Sequence, residues 1–135
     1  MLTTLIATGL NIFDYAIRDF DQAIQRYPKN PQFYLNRGLA RYATGEYDRA
    51  IRDYDVATKL DETYTMAHLL RGQAYGKKGE HAHAIENYNR VIELDPKFVD
   101  AYTDRASAYY HKGDYGRAIQ DYGEAIKLDP KKADF

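Results

Sequence analysis

The sequence predicts an all-α fold in which pairs of helices follow one another along the chain. Three observations support it: a 34-residue period from residue 31 onward, apolar residues at helical spacing within each period, and Gly or Pro where helices should end. The period appears in three registers: Ala50-Ala84-Ala118, Tyr54-Tyr88-Tyr122 and Gly45-Gly79-Gly113. Units of this length bury their apolar faces only against their neighbours, so a stacked array typical of a binding scaffold is expected.

The composition limits the class of function. Among 135 residues, 19 are basic and 20 acidic, giving a net charge of −1, so no overall field attracts nucleic acid or an anionic membrane. The absence of cysteine excludes disulfides, thiolate zinc sites and cysteine nucleophiles. Residues 1–10 lack the basic start and long apolar core of a secretory signal, and no apolar stretch of about 20 residues predicts a membrane span. We therefore expect a cytoplasmic protein by default.

Each repeat should contain two amphipathic helices, at about 31–44 and 47–60 in the first. Asn30-Pro31 supplies an N-cap and a first-turn proline, and Gly45 permits the tight reversal between the helices. Asp-Pro pairs end the second helices of the later repeats. A half unit precedes these, with a second helix at about 12–26 and residues 1–9 as a degraded first helix. The predicted division is a partial repeat at 1–30, repeats at 31–64, 65–98 and 99–132, and a tail at 133–135.

The pattern over residues 31–132 closely resembles the tetratricopeptide repeat (TPR) family. The resemblance rests on aromatic and small residues at fixed places in each repeat: Tyr34, His68 and Tyr102; Gly38, Gly72 and Ala106; Ala50-Tyr54-Ala57, Ala84-Tyr88-Val91-Pro96 and Ala118-Tyr122-Ala125-Pro130. Arg41 departs from the aromatic that Tyr75 and Tyr109 supply, and Glu62 replaces the first proline. The resemblance implies a right-handed superhelical solenoid of three full repeats plus the N-terminal half repeat.

The resemblance also implies a protein–protein interaction scaffold or adaptor that binds a peptide in a concave groove lined by the first helices. Carried over by position, the groove residues are Gln32, Leu35, Asn36, Leu39, Tyr42, Met66, Leu69, Leu70, Gln73, Lys77, Asp100, Thr103, Asp104, Ser107 and His111. This surface changes from apolar to acidic along the chain, so an apolar ligand with a basic end is expected. Asp100 and Asp104 have the wrong sign for the C-terminal carboxylate that one TPR subclass takes from chaperones.

Two alternative functions remain open. The first is a structural module that self-associates through uncapped terminal helices, either as a homo-oligomer or as part of a longer array. The residues expected to carry it form the outer face of the last helix: Tyr115, Ile119, Tyr122 and Ile126. The second is RNA binding by a helical-repeat array, which the near-neutral charge and the acidic groove end disfavour.

Two further patterns have a structural and a functional interpretation. Arg37, Arg71 and Arg105 share the period with a second series on the second helices, Asp19, Asp53, Asn87 and Asp121. We favour bridges between the two helices of each repeat over a row of arginines that binds phosphate or an acidic peptide. His81 and His83 lie two apart on a helix and so point in different directions, which disfavours a metal site; His81 is expected to fill the slot of Tyr47 and Tyr115. No nucleophile, phosphate-loop or cofactor motif is recognisable, and no enzymatic activity, cofactor or metal is predicted.

Overall fold

The computed structural model describes residues 11–131, and this part of the chain contains α-helices joined by short turns and no strand. The expected first helix at residues 1–9, and the end of the chain from residue 132, lie outside the described residues. Seven helices follow in order: α1 Ile12–Arg26, α2 Pro31–Ala43, α3 Tyr47–Leu60, α4 Thr65–Lys77, α5 His81–Leu94, α6 Val99–His111 and α7 Tyr115–Leu128. None of them is long and apolar enough to cross a membrane. The all-α, helix-turn-helix fold is the one that the sequence predicts, with helix bounds that agree to within one residue.

Local sequence explains where the helices begin and end. Asn11 caps α1 in a capping box, accepting from the Asp14 amide at 3.0 Å while its own amide donates to the Asp14 carboxylate at 3.2 Å. The Asn30 side chain accepts from the amide of Gln32 at 3.0 Å, and Pro31 occupies the first turn of α2. The turns within the helix pairs have glycine at positive φ, +81° at Gly45, which only glycine adopts without strain.

The described chain divides into two compact units, on either side of the Glu62–Thr63 bond. In the N-terminal unit, α2 packs against both α1 and α3. Its buried residues include Leu35, Ile51 and Tyr54. The first helix of the pair is therefore covered on two sides, by its own second helix and by the second helix of the preceding half repeat.

The C-terminal unit contains two successive helix pairs. Its helices pack in the order α4 on α5, α5 on α6 and α6 on α7, with a smaller contact between α4 and α6. The core is one cluster drawn from the first three of these helices: Leu69, Ala84, Ile85, Tyr88, Val91, Ala101 and Ala108, with Tyr75, Ile92, Phe98 and Tyr109 packed around it. The apolar face of α5 is thus buried by the first helix of the following pair.

Glycine on the first helix lets a tyrosine of the second helix approach the backbone. A Cβ added at Gly38 would lie 2.5 Å from Cε1 of Tyr54, and one at Gly72 would lie 2.6 Å from Cε1 of Tyr88. Both tyrosines are accordingly buried. In the third repeat the equivalent position is Ala106, and Tyr122 opposite it is only half-buried. Among the described residues α7 packs only against α6, whereas α5, which carries Tyr88, is packed by both α4 and α6.

Candidate interaction surfaces

The periodic arginines are bound within the repeats, as the structural interpretation of the sequence predicts. Arg37 donates from Nη2 to Oδ1 of Asp53 at 2.7 Å and from Nε to both carboxylate oxygens, while Nη1 donates to Oδ1 of Asp21 at 2.8 Å. One guanidinium therefore joins α2 to α3 and to α1. The hydrogen bond with Asp53 is the main reason why the pKa of Arg37 lies above its usual value. All three nitrogens of this guanidinium already donate to carboxylates of the fold, and two carboxylates balance its charge, which disfavours a phosphate ligand.

The same arrangement recurs in the C-terminal unit with one change. Arg105 donates from Nε and Nη2 to the Asp121 carboxylate, both at 2.7 Å, and from Nη1 to Oδ1 of Asn89 at 2.8 Å. Arg71 instead donates from Nε to the amide oxygen of Asn87 at 2.7 Å. Asn87 also donates from Nδ2 to the carbonyl of His83. The middle repeat thus keeps the bridge between its helices with a neutral acceptor.

Part of the predicted groove comes together between α4 and α6 of the C-terminal unit. Nε2 of Gln73 donates to Oδ2 of Asp104 at 2.9 Å, so these two predicted residues meet across the two first helices. Met66 is 44% exposed and Leu70 is partly exposed, while Lys77 and His111 lie exposed at the other ends of their helices. The hydroxyl of Thr103 donates to the carbonyl of Asp100, and the carbonyl of Ser107 lies 2.7 Å from Nδ1 of His111.

Asp104 is the most perturbed carboxylate of this surface. Burial raises its pKa above the usual value of a carboxyl group, the negative charge of Asp100 raises it further, and the hydrogen bond from Gln73 partly offsets both. The charged form of Asp104 is therefore poorly solvated where it stands. A positive charge brought close to Asp100 and Asp104 would stabilise it.

Two of the predicted groove residues are not on the surface. Leu35 is 6% exposed and Leu69 is 3% exposed, and Leu69 belongs to the core cluster with Ile85 and Tyr88. The prediction that these leucines line an open surface is therefore wrong. The physical reason is that a first helix is packed on two sides, so its buried stripe is wider than the spacing of its apolar residues suggests.

The predicted groove residues of the N-terminal unit are less closely connected. Gln32 and Leu39 are exposed, and Asn36 and Tyr42 are partly buried. The ring of Tyr42 packs edge-on against the ring of Tyr47, with centroids 5.3 Å apart. The α4–α6 surface, where Gln73 donates to Asp104 across two first helices, is the better-defined part of the predicted groove.

The histidines make ring contacts with different partners. His81 stacks on His111, with ring centroids 5.0 Å apart and planes 16° apart, and His83 packs on Tyr75. His81 is therefore partly buried as a packing residue, in the slot that the sequence assigned to it. Among residues 11–131 no group of three or more His, Asp or Glu side chains is arranged to hold a metal ion.

The outer side of α7 is an exposed apolar surface. Tyr115 is 57% exposed, Ile119 70% and Ile126 47%, while Tyr122 is half-buried. The ring of Tyr110 lies 5.3 Å from that of Tyr115 and extends the surface to the end of α6. These are the residues that the sequence suggested for self-association, and the exposure of three of them leaves that interpretation open.

One periodic signal was missed in the sequence. Asp21, Asp55 and Asn89 also lie 34 residues apart, and Asp21 and Asn89 accept from the arginine of the following first helix. The register breaks at the next position, which is Gly123. The spacing alone could have revealed both the series and its end.

Comparison with known proteins agrees with this geometry. Three family models match: one described as Tetratricopeptide repeat at residues 69–133, one described as TPR repeat at 38–79 and another Tetratricopeptide repeat at 20–52. Together they span residues 20–133. The chain belongs to the tetratricopeptide repeat family. Comparison with curated proteins finds no significant match.

Solved TPR structures share the fold. A crystal structure of MamA superposes with a TM-score of 0.85 at 28% identity, over 98% of this chain and 77% of that one. MamA 41-end from Desulfovibrio magneticus RS-1 gives 0.84 at 22% identity, over 96% and 72%. The first TPR of Spaghetti (RPAP3), bound to the HSP90 peptide SRMEEVD, gives 0.73 at 24% identity, over 74% of this TPR chain and 79% of that one.

Proposed function

We propose that this TPR protein is an adaptor that binds a peptide segment of a partner protein, and that α4 and α6 supply the main binding surface. The TPR fold is in general a protein–protein interaction module and typically a non-enzymatic scaffold. The observation that carries the proposal is the pairing of Gln73 with Asp104, which joins the two first helices one turn along α4 from the partly exposed Leu70. The partial repeat at 1–30 and the repeats at 31–64, 65–98 and 99–132 remain the proposed division.

The chemistry of this surface favours a ligand that is apolar at one end and basic at the other. Met66 and Leu70 offer apolar area that burial would stabilise by roughly 25 cal/mol per Å². Asp100 and Asp104 lie one helical turn apart, and a Lys or Arg of the ligand would offset the poor solvation of Asp104. Because that cation would hold Asp104 ionised, binding should weaken as the pH falls and the carboxyl group takes up a proton.

An acidic ligand is disfavoured by the same residues. The RPAP3 structure contains the peptide SRMEEVD, whose last four residues carry three acidic side chains. Such a peptide would bring its charges to Asp100 and Asp104 here, and like charges at close range cost binding free energy. The proposed ligand therefore differs in sign from the peptide of that neighbour, although the fold is shared.

The test uses two fluorescent peptides with the same apolar sequence, one ending in two lysines and the other in two glutamates. Fluorescence anisotropy should show at least tenfold tighter binding of the lysine peptide, and Leu70→Glu should weaken it at least tenfold by placing a charge in the apolar part. Leu128→Glu is the matched control, since Leu128 is exposed on α7 away from the groove, and it should leave binding unchanged. Equal affinity for both peptides, or equal loss in both variants, would contradict the proposal.

The exposure of Ile119 supports a second candidate function, self-association through α7. The two functions use different surfaces and are separable by the variants above: Leu70→Glu should weaken peptide binding at least tenfold and leave the oligomer size unchanged. RNA binding is the remaining alternative from the sequence, and binding to polyuridine in low salt would support it against both candidates.

A further inference from the structure

The exposed apolar face of α7 is matched by a covered face elsewhere in the chain. Ile85 of α5 occupies the same place in its repeat as Ile119 of α7, and it is 8% exposed because α6 packs over it. Asn89, one turn further along α5, also accepts from Arg105 of α6. A second helix of this protein is therefore bound to the next helix by an apolar contact and by a polar clamp.

The polar half of that contact is missing on α7. The position equivalent to Asp21 and Asn89 is Gly123, which has no side chain to accept from an arginine. A following first helix built like α2 or α6 would bring its arginine to this place and leave a guanidinium without that acceptor. The face of α7 is thus poorly suited to another repeat of the same pattern, although it keeps the apolar isoleucines.

Two glycines also lie on this face without a local reason. Gly116 and Gly123 are helical, and a Cβ at Gly123 would meet no atom within 4 Å, while one at Gly116 would meet only Oδ1 of Asp114 at 4.0 Å. Neither has the positive φ that favours glycine. Glycine inside a helix lowers its stability relative to alanine. Close approach of another chain would explain why both positions lack a side chain.

The glycines and isoleucines form a stripe that is complementary to itself. Gly116, Ile119, Gly123 and Ile126 follow one another at steps of three, four and three, the spacing of a helix–helix seam. When two copies of α7 run antiparallel and cross at residue 121, Ile119 of each lies opposite Gly123 of the other, and Gly116 opposite Ile126. All four large side chains then meet a gap left by glycine.

We propose that this stripe, called the α7 seam, binds a second copy of the same chain as an antiparallel, two-fold symmetric pair. A two-fold interface uses one surface on both subunits, which the reversed order of Gly and Ile satisfies. The antiparallel direction also separates the Lys127 side chains by about 18 Å along the helix, whereas a parallel pair would place them side by side. The inference rests on the second candidate function, self-association, and is independent of peptide binding.

The small area of the α7 seam indicates how tightly two copies of the chain should bind. A helix of 14 residues is about 21 Å long, and a single pair of such helices buries less than the roughly 800 Å² per partner of a standard interface. An interface of this size belongs among the weak, transient contacts, so the dimer should be weak and readily reversible. Sedimentation should show monomers at low micromolar concentration and dimers near 1 mM.

Single-cysteine variants can test the direction of the pair, because the chain contains no cysteine of its own. Gln120 and Lys127 lie on the same edge of the seam, one near the crossing point and one near the helix end. At 0.5 mM chain, oxidation should link Gln120→Cys at least tenfold faster than Lys127→Cys. Equal rates would indicate a parallel or unspecific contact and would overturn the proposal.

Gly123→Leu tests the fit of the two copies. The space around Gly123 lets the variant fold as a monomer, but the new side chain fills the gap that receives Ile119, so dimerisation should weaken at least tenfold. Ile119→Glu should have the same effect by removing the apolar contact. A wild-type chain that stays monomeric to 1 mM, or a Gly123→Leu chain that dimerises normally, would refute the seam. Peptide binding should be unchanged in both variants, so the groove is judged separately.

Discussion

The second helices α5 and α7 carry nearly the same apolar pattern and have opposite surroundings. Ile85 of α5 lies under α6 and is 8% exposed, whereas Ile119 of α7, 34 residues later, is 70% exposed. The same kind of side chain therefore stabilises the fold in one helix and is available for binding in the other. In a repeat protein the role of a residue depends on what packs beside its repeat, in addition to its own identity.

The largest expected difference concerns these two isoleucines. Ile85→Ala should lower the free energy of unfolding by about 2–4 kcal/mol, because it leaves a cavity in the core. Ile119→Ala should change it by less than about 0.5 kcal/mol in dilute monomer, because the side chain already meets solvent. Urea unfolding at 5 μM chain measures both. Similar losses in the two variants would contradict the contrast between a covered and an open face.

Substituting the residue that accepts hydrogen bonds from Arg105 should have an intermediate effect on stability. Asp121 of α7 accepts from Arg105, and Asn87 of α5 accepts from Arg71, so the α5 arrangement shows that an amide suffices. Asp121→Asn should therefore cost about 1 kcal/mol or less, while Asp121→Ala should cost about 2 kcal/mol, because Nε and Nη2 of Arg105 lose their acceptor and only the bond from Nη1 to Asn89 is kept. Thermal unfolding of the two variants measures this. If the Asn and Ala variants lose the same stability, an amide acceptor gives no stabilisation, and the bond between Arg71 and Asn87 would contribute nothing to the fold.

The smallest expected effect on stability comes from Asp104 of α6, the helix that packs between α5 and α7. Folding raises the pKa of Asp104, so the folded chain holds this proton more tightly than the unfolded chain, and stability falls as the pH rises through the raised pKa. Asp104→Asn removes this cost and keeps an oxygen for Gln73, so it should be more stable than wild type at pH 7. The advantage should shrink as the pH falls towards 4. Urea titrations between pH 4 and 7 measure it, and an advantage that does not change with pH would exclude this cause.

Much of the fold could be predicted from the sequence, because each repeat has residues at fixed positions that mark where its helices begin and end. The 34-residue period, Asn30-Pro31 and the glycines at positive φ define helix ends that the structure places within one residue. The bridges between arginines and Asp53, Asn87 or Asp121 were also predictable, because complementary side chains share one period. These features depend on neighbouring residues or recur in every repeat, so the same prediction could be checked in each repeat of the sequence.

The candidate sites were harder to predict because they depend on packing between helices. Leu35 and Leu69 share a helical face with exposed residues, and only the second helices packed against them decide that they are buried. The contact of Gln73 with Asp104 joins residues 31 positions apart, and the sequence places both on the groove without indicating that they meet. The glycines at 116 and 123 stand out only once the exposure of Ile119 is known.

The most direct test of the contrast between α5 and α7 is a dilution series of amide spectra from ¹⁵N-labelled chain. Glycine amides fall in a separate region of the spectrum, so buried Gly72, exposed Gly116 and partly exposed Gly123 can be followed together. Between 20 μM and 1 mM, the signals of Gly116 and Gly123 should shift progressively while that of Gly72 stays fixed. A spectrum that does not change with concentration, or shifts confined to residues outside α7, would contradict the account.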